Sequence, residues 1–221
     1  MVELTAAADS LVEAGRRLGA RGLIAAGEGN LSIRLDHDRI LITPSGRRKD
    51  ELDRDDLVVL WLGHGESDAI SRSGLSPSSD LVIHLAVHAV RPELGAVVHA
   101  HLPAALALTL AGEVPDPGAL PETAQFIPRL PFLPYGAMGS EELAKRIATA
   151  MTTPPEPLAN AVLLERHGAI AIGGDPETAV NRLELVEVLC RTWRDALLIR
   201  AARGETGIVI EPSPGSPSEE T

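Results

Sequence analysis

Residues 91–101 read RPELGAVVHAH, and this stretch decides the fold. A proline and a glycine precede a short apolar run of the length of a buried strand, and the run ends in two histidines. Side chains alternate along a strand, so His99 and His101 project to the same side, two residues of rise apart. Two imidazoles on one side of a strand can chelate one ion through their ring nitrogens, and zinc is a metal such ligands commonly take.

Working outward, PAALALTLAG at 103–112 reads as a helix with Pro103 in its first turn. On the other side, SSDLVIHLAVHAV at 78–90 has helical period, with Ser and Asp placed to cap its start, and Pro92 ends it. Residues 4–20 carry Leu4, Ala8, Leu11, Val12, Gly15 and Leu18 at helical spacing, and the GEGN turn at 27–30 breaks that helix. Strand-like runs follow at 31–35, 39–43 and 57–62, separated by Asp36–Asp38 and Pro44–Gly46, as in an antiparallel meander. Residues 115–134 are Pro-rich and read as loop plus one short strand. A capped helix is expected over 139–151, two strands flank a turn at Arg166–Gly168, and a long helix runs from Pro176 to about Ala202. This alternation favours an α/β fold, a sandwich of helices about a mostly antiparallel sheet, over a doubly wound one. One domain over 1–210 is expected, with a disordered Pro/Ser-rich tail over 211–221.

Composition narrows the function. Aromatics make up 2% of the 221 residues, which argues against base stacking or an aromatic sugar platform, and a net charge of −11 disfavours nucleic acid and anionic membrane surfaces as partners. The single cysteine, Cys190, lies in the apolar run LVEVLC and reads as a buried small hydrophobe. No basic segment followed by an apolar one opens the chain, and no 18-residue apolar run occurs, so a cytoplasmic location is expected.

A third metal ligand is available in LLERHGAIA, where Gly168 lets the backbone bend and brings His167 clear of the sheet. An enzyme's zinc commonly keeps three protein ligands and an open position. His84 and His88 share a helix face at i,i+4, but no glutamate accompanies them as in HExxH, so they read as packed core histidines. His37 and His64 sit among loop residues with no specific role.

With these residues in view, the chain resembles the class II aldolase/adducin-head family, on its L-fuculose-1-phosphate aldolase branch. The resemblance rests on an ordered set of motifs: GN-x-S at 29–32, TPSG at 43–46, PSSD at 77–80, RPELGAVVHAH at 91–101, PYGAMGSEEL at 134–143 and HGAIA at 167–171. It implies a C4 homotetramer with active sites at subunit interfaces. It also implies one Zn2+ per subunit on His99, His101 and His167, a substrate phosphate held by Asn30, Ser45, Gly46, Ser78 and Ser79, and Asp80 as general acid/base. Physics makes the phosphate site plausible independently, because Gly-flanked loops and a helix N-terminus present N–H groups to an anion. The implied activity is cleavage of a ketose 1-phosphate, L-fuculose 1-phosphate or a deoxypentulose 1-phosphate, to dihydroxyacetone phosphate and an aldehyde.

Two departures qualify the resemblance. The fuculose phosphate enzymes carry Glu at the position of Asp80. Related ribulose-phosphate 4-epimerases carry Asp there, together with a further aspartate that LPETAQFIPRLPF at 120–132 lacks. The only tyrosine, Tyr135, is out of register with the family's substrate-orienting tyrosines, and Glu122 is the substitute suggested at the mid-chain position. A methylthioribulose-phosphate dehydratase, a ketose-phosphate epimerase or a decarboxylase would keep the same metal and phosphate sites. A non-catalytic scaffold, as in the adducin head, has no physical need for three converging imidazoles.

Overall fold

Alternation along the strands assigns each side chain to one of two layers. In β1 (Asn30–Arg34), Leu31 and Ile33 join one apolar cluster while Asn30 and Ser32 face the other way. In β5 (Ala96–Ala100), Val98 and Ala100 join that same cluster and Val97 joins the opposite one. The pattern repeats in β7 (Ala161–Leu164) and β8 (Gly168–Gly173), where Ala161, Leu163, Ala169 and Ala171 face one side and Val162, Leu164, Ile170 and Ile172 the other. Both faces are apolar, so both must be covered.

The computed structural model describes residues 3–62, 70–71 and 73–208. Its strands, completed by β2 (Arg39–Ile42), β3 (Val58–Trp61), β4 (Ile70–Ser71) and β6 (Phe132–Leu133), form one sheet in the order β4-β3-β2-β1-β5-β8-β7-β6. Every neighbouring pair is antiparallel except β6 with β7. Helices α1 (Leu4–Ala20), α3 (Pro103–Leu110) and α6 (Pro176–Ala202) cover one face, and α2 (Leu81–Val90) and α5 (Glu141–Ala150) cover the other. The result is the three-layer sandwich with a mostly antiparallel sheet that the sequence predicts.

Local chemistry fixes the helix ends. The Asp175 carboxylate accepts from the Thr178 N–H at 2.7 Å ahead of Pro176, and Ser140 accepts from the Leu143 N–H at 3.2 Å. The start of α3 is capped from outside: both oxygens of buried Glu187, on α6, accept from the Ala104 N–H at 3.1 Å. Burial pushes the Glu187 carboxyl above its usual range, and burial followed by the charge of Glu187 pushes the Cys190 thiol up to about 12, as suits an inert core cysteine.

The structure differs from the sequence reading in three places. The stretch 115–134 holds a helix, α4 (Pro121–Phe126), opened by a proline at its first position, and a 3-10 turn over Pro117–Ala119. Its proline density reflects helix starts as much as loop. Asn30, read as part of the helix-breaking turn, opens β1. Helix α2 begins at Leu81, and Asp80, at the N-cap position, makes no side-chain cap bond. The reason for that lies in the site. His64 and the expected tail over 211–221 fall outside the described residues.

Candidate active site

Strand β5 carries His99 and then, one step beyond its end, His101. His167 comes from the turn between β7 and β8, the strands that extend the sheet from β5. The turn comes close to β5 only because residue 168 is glycine. Gly168 has φ +85°, and a Cβ there would lie 2.2 Å from the Ala100 carbonyl oxygen. The three imidazoles converge, with centroids 5.2 Å apart for His99–His101, 4.6 Å for His99–His167 and 5.3 Å for His101–His167. One ring nitrogen from each lies within 4.8 Å of the other two.

The hydrogen-bonding state of these rings fits a divalent ion. His99 donates from Nδ1 to the Ala169 carbonyl at 3.0 Å, which leaves Nε2 as a lone-pair donor, buried and without a partner. Both ring nitrogens of His167 are likewise buried without partners. Orphaned polar atoms in an interior need an explanation, and a shared cation supplies one here. His101 meets Glu28 through Nδ1 at 3.1 Å, so its Nε2 is left for the cluster, and Glu28 is itself steadied by the Ala25 N–H at 3.0 Å. Burial holds His99 neutral, with its pKa lowered to about 3, and lowers that of His167 as well. Neutral imidazole is the form that binds metal.

Asp80 stands beside this cluster. One carboxylate oxygen accepts from the Asn30 side-chain amide at 2.8 Å and the other from the Gly139 N–H at 2.9 Å. These bonds draw the side chain away from the cap of α2. Gly139, with φ +64°, packs so tightly that a Cβ would lie 2.6 Å from the Ser79 carbonyl oxygen. Burial pushes the Asp80 carboxyl up and the Asn30 amide bond pulls it down, and the group sits below the usual carboxylate range, ionised at neutral pH.

The remaining expected residues gather next to Asp80. A bridge between Pro44 and Pro77, with Ser45 N–H donating to the Ser76 carbonyl at 3.0 Å and Ser78 N–H to that of Thr43 at 3.2 Å, zips the TPSG and PSSD loops together. The Leu31 N–H donates to the Thr43 hydroxyl at 3.1 Å, bringing Asn30 against the same loops. Ser45, Gly46 and Ser79 are exposed, whereas Ser78 is buried with its hydroxyl accepting from the Asp80 N–H at 3.3 Å. Asn30 spends one amide hydrogen on Asp80, and an amide has two.

Sequence reasoning missed three members of this constellation. Glu28 reads as a turn residue until His101 is beside it. Gly139 gives its N–H to a residue 59 positions away. Lys49 is 2% exposed, and its ammonium donates to the carbonyls of Gly27 at 2.8 Å and Arg47 at 2.6 Å, tying the GEGN loop to the TPSG loop. No periodicity marks a lysine in such a run, so only burial reveals it. Glu122, by contrast, is an exposed side chain in the first turn of α4.

The profile of the class II aldolase and adducin N-terminal domain family matches residues 9–194. The chain belongs to this family. The methylthioribulose-1-phosphate dehydratase of Acidiphilium cryptum is 36% identical over 197 residues, covering 84% of this chain and 89% of that protein. The 3-oxo-tetronate 4-phosphate decarboxylase of Haemophilus influenzae is 32% identical, covering 80% and 81%. The 5-methylthioribulose-1-phosphate/5-deoxyribulose-1-phosphate aldolase of Rhodospirillum rubrum is 32% identical, covering 83% and 79%. Among solved structures, the L-fuculose-1-phosphate aldolase of Thermus thermophilus superposes with a TM-score of 0.73 at 27% identity, covering 91% of this chain and 97% of that one. Among the described residues no helix is long and apolar enough to cross a membrane.

Proposed function

We propose that this chain is a metal-dependent aldolase that cleaves a short ketose 1-phosphate to dihydroxyacetone phosphate and an aldehyde. The observation that carries the reading is an ionised carboxylate, Asp80, held beside three histidines whose free ring nitrogens converge. His99, His101 and His167 would hold one zinc ion per subunit, which when bound supplies a Lewis acid for the carbonyl and hydroxyl oxygens of the substrate.

The protein's own residues do the rest. The exposed edge formed by Ser45, Gly46 and Ser79, with Ser78 and the spare amide hydrogen of Asn30, receives the phosphate near the N-terminus of α2. That anchor sets the sugar's first carbons against Asp80. Asp80, as the carboxylate, takes the proton of the hydroxyl two carbons from the carbonyl, the carbon–carbon bond breaks, and its electron pair stays on the carbon next to the carbonyl. Asp80, carrying a proton at that moment, delivers it to this carbon and returns to the carboxylate. Glu122 is assigned to the aldehyde half of the pocket. The catalytic unit spans 1–210, and we place it in the cytoplasm as a homotetramer with sites at its interfaces.

A second reading, dehydration of a methylthioribulose-type phosphate, is favoured by the 36% identity to the Acidiphilium dehydratase. It uses the same base and metal but expels water. Incubating the zinc-loaded protein with L-fuculose 1-phosphate, 5-deoxyribulose 1-phosphate, 5-methylthioribulose 1-phosphate and a 3-oxo-tetronate 4-phosphate, with and without chelator, separates the readings. Chelator-sensitive release of dihydroxyacetone phosphate is expected. A product that keeps every carbon and loses water would replace aldolase by dehydratase, and release of CO2 from a keto-acid phosphate would replace it by decarboxylase.

A further inference from the structure

Behind Asn30 lies a chain of buried polar groups, Ser32, His84 and His88, that the proposed reaction does not use. Asn30 and Ser32 share a face of β1, two residues or about 6.8 Å apart along the strand. His84 and His88 share a face of α2, four residues or about 6 Å apart along the helix. The two rises match, so the pairs interleave. The Asn30 Oδ1 lies 2.6 Å from His84 Nε2, His84 Nδ1 lies 2.7 Å from the Ser32 hydroxyl, and that hydroxyl lies 2.8 Å from His88 Nε2. All four side chains are at most 4% exposed.

We infer that Ser32, His84 and His88 are positioning residues, forming a one-directional hydrogen-bond relay that locks the Asn30 amide, and through it the Asp80 carboxylate, in its working orientation. The inference rests on the role given to Asp80 above. The direction follows from donor and acceptor inventory. An ionised Asp80 only accepts, so Asn30 must turn its NH2 to Asp80 and its carbonyl to His84. His84 must therefore carry its proton on Nε2, which leaves Nδ1 to accept from Ser32. The Ser32 hydroxyl, its proton committed, accepts from a proton on Nε2 of His88. The peptide carbonyl of His88 in turn accepts from Arg34, and His88 lines a cavity of about 480 Å³ together with Arg34, His37, Leu62, Leu85, Ala89 and Pro92. Each member has one role consistent with its neighbours, so the amide of Asn30 cannot flip without breaking the whole series. An amide does not pass protons along, so the relay orients Asp80 and does not discharge it. The proton Asp80 handles must exchange on the substrate side.

Long-range 1H–15N spectra of the imidazoles in zinc-loaded protein, from pH 5.5 to 8, test the relay without a substrate. Both His84 and His88 are expected to be neutral with the proton on Nε2, and a proton on Nδ1 of neutral His84 would overturn the proposal. In Ser32→Ala, His84 is expected to lose its single tautomer, with kcat falling about 10- to 100-fold while zinc stoichiometry stays as in the parent. An unchanged kcat in a folded Ser32→Ala variant would equally overturn it. Should that variant not fold, the spectrum of the parent protein still decides. A parent protein that turns over none of the ketose phosphates would sink the aldolase reading and leave the relay to the spectrum alone.

Discussion

The Asn30 side-chain amide donates to the Asp80 carboxylate at 2.8 Å, joining the first residue of β1 to the residue that precedes α2. This bond and the Gly139 N–H hold an acid in an interior position that would otherwise favour its neutral form. Asp80→Asn keeps the shape and removes the base. Turnover of the ketose phosphate is expected to fall about 10²- to 10⁴-fold, with zinc still bound at one ion per chain by elemental analysis. Wild-type turnover in this variant would remove Asp80 from the chemistry.

Glu28 meets His101 on the ring nitrogen turned away from the cluster. Glu28→Gln is expected to weaken zinc binding about 10- to 100-fold, read by competition with a fluorescent chelator at fixed pH. Equal affinity would mean that Glu28 neither orients the ring nor raises its basicity.

Lys49 ties two loops through their carbonyls. In Lys49→Met both carbonyls lose their donor, and the loop that ends in Ser45 and Gly46 loosens. The KM for a ketose phosphate is expected to rise about tenfold, a loss of about 1.4 kcal/mol in binding. Cleavage of the unphosphorylated sugar should be unaffected, and an equal loss for both sugars would separate Lys49 from phosphate binding.

The buried histidines make stability depend on pH. Burial lowers His84 to about 4, and burial, then His84 and Arg34, lowers His88 to about 3, against an ordinary value near 6.5. The unfolded chain therefore binds more protons than the folded one between these values, so stability is full above about pH 6.5 and is lost as pH falls. Each of the two is expected to cost up to about 1.4 kcal/mol per pH unit in that window. Urea titrations of zinc-loaded protein at pH 7, 6 and 5 measure this, and a flat profile would mean that both rings protonate without cost.

Gly168 has a conformation and a surrounding that exclude a side chain. Gly168→Ala is expected to cost about 2–4 kcal/mol and to move His167 out of the cluster. Thermal unfolding with and without added zinc would show a lower midpoint and a smaller zinc-induced rise. A variant that matched the parent in both would contradict the close approach to Ala100.

How much of this was legible in the sequence depends on where the partner of each residue lies. The shared side of His99 and His101 followed from the period of a strand, whereas His167 alone reads as an ordinary turn histidine and was joined to them by the family's order of motifs. The sheet and its two helical layers followed from apolar alternation, because that pattern is local. Asp80 was legible as a residue of interest but ambiguous in position, since an aspartate before a helix reads as a cap unless Asn30, 50 positions earlier, is known to claim it. His84 and His88 read as packed core histidines, and both are buried. Their bonds to Asn30 and Ser32 were invisible because strand and helix had first to be stacked in register. Glu28 and Lys49 acquire meaning only when two loops meet, and neither loop has a period.

Asp80 stands at the amino end of α2 but spends its carboxylate on Asn30 and Gly139, so that end has no side-chain cap bond. A missing cap of this kind costs about 1 kcal/mol, and an anion that settles there recovers it. Compounds that carry the phosphate but cannot react should therefore act as folding chaperones for this protein, hardening it against heat while blocking its turnover. An uncapped helix start is, by the same token, a place where an inert mimic has something to offer.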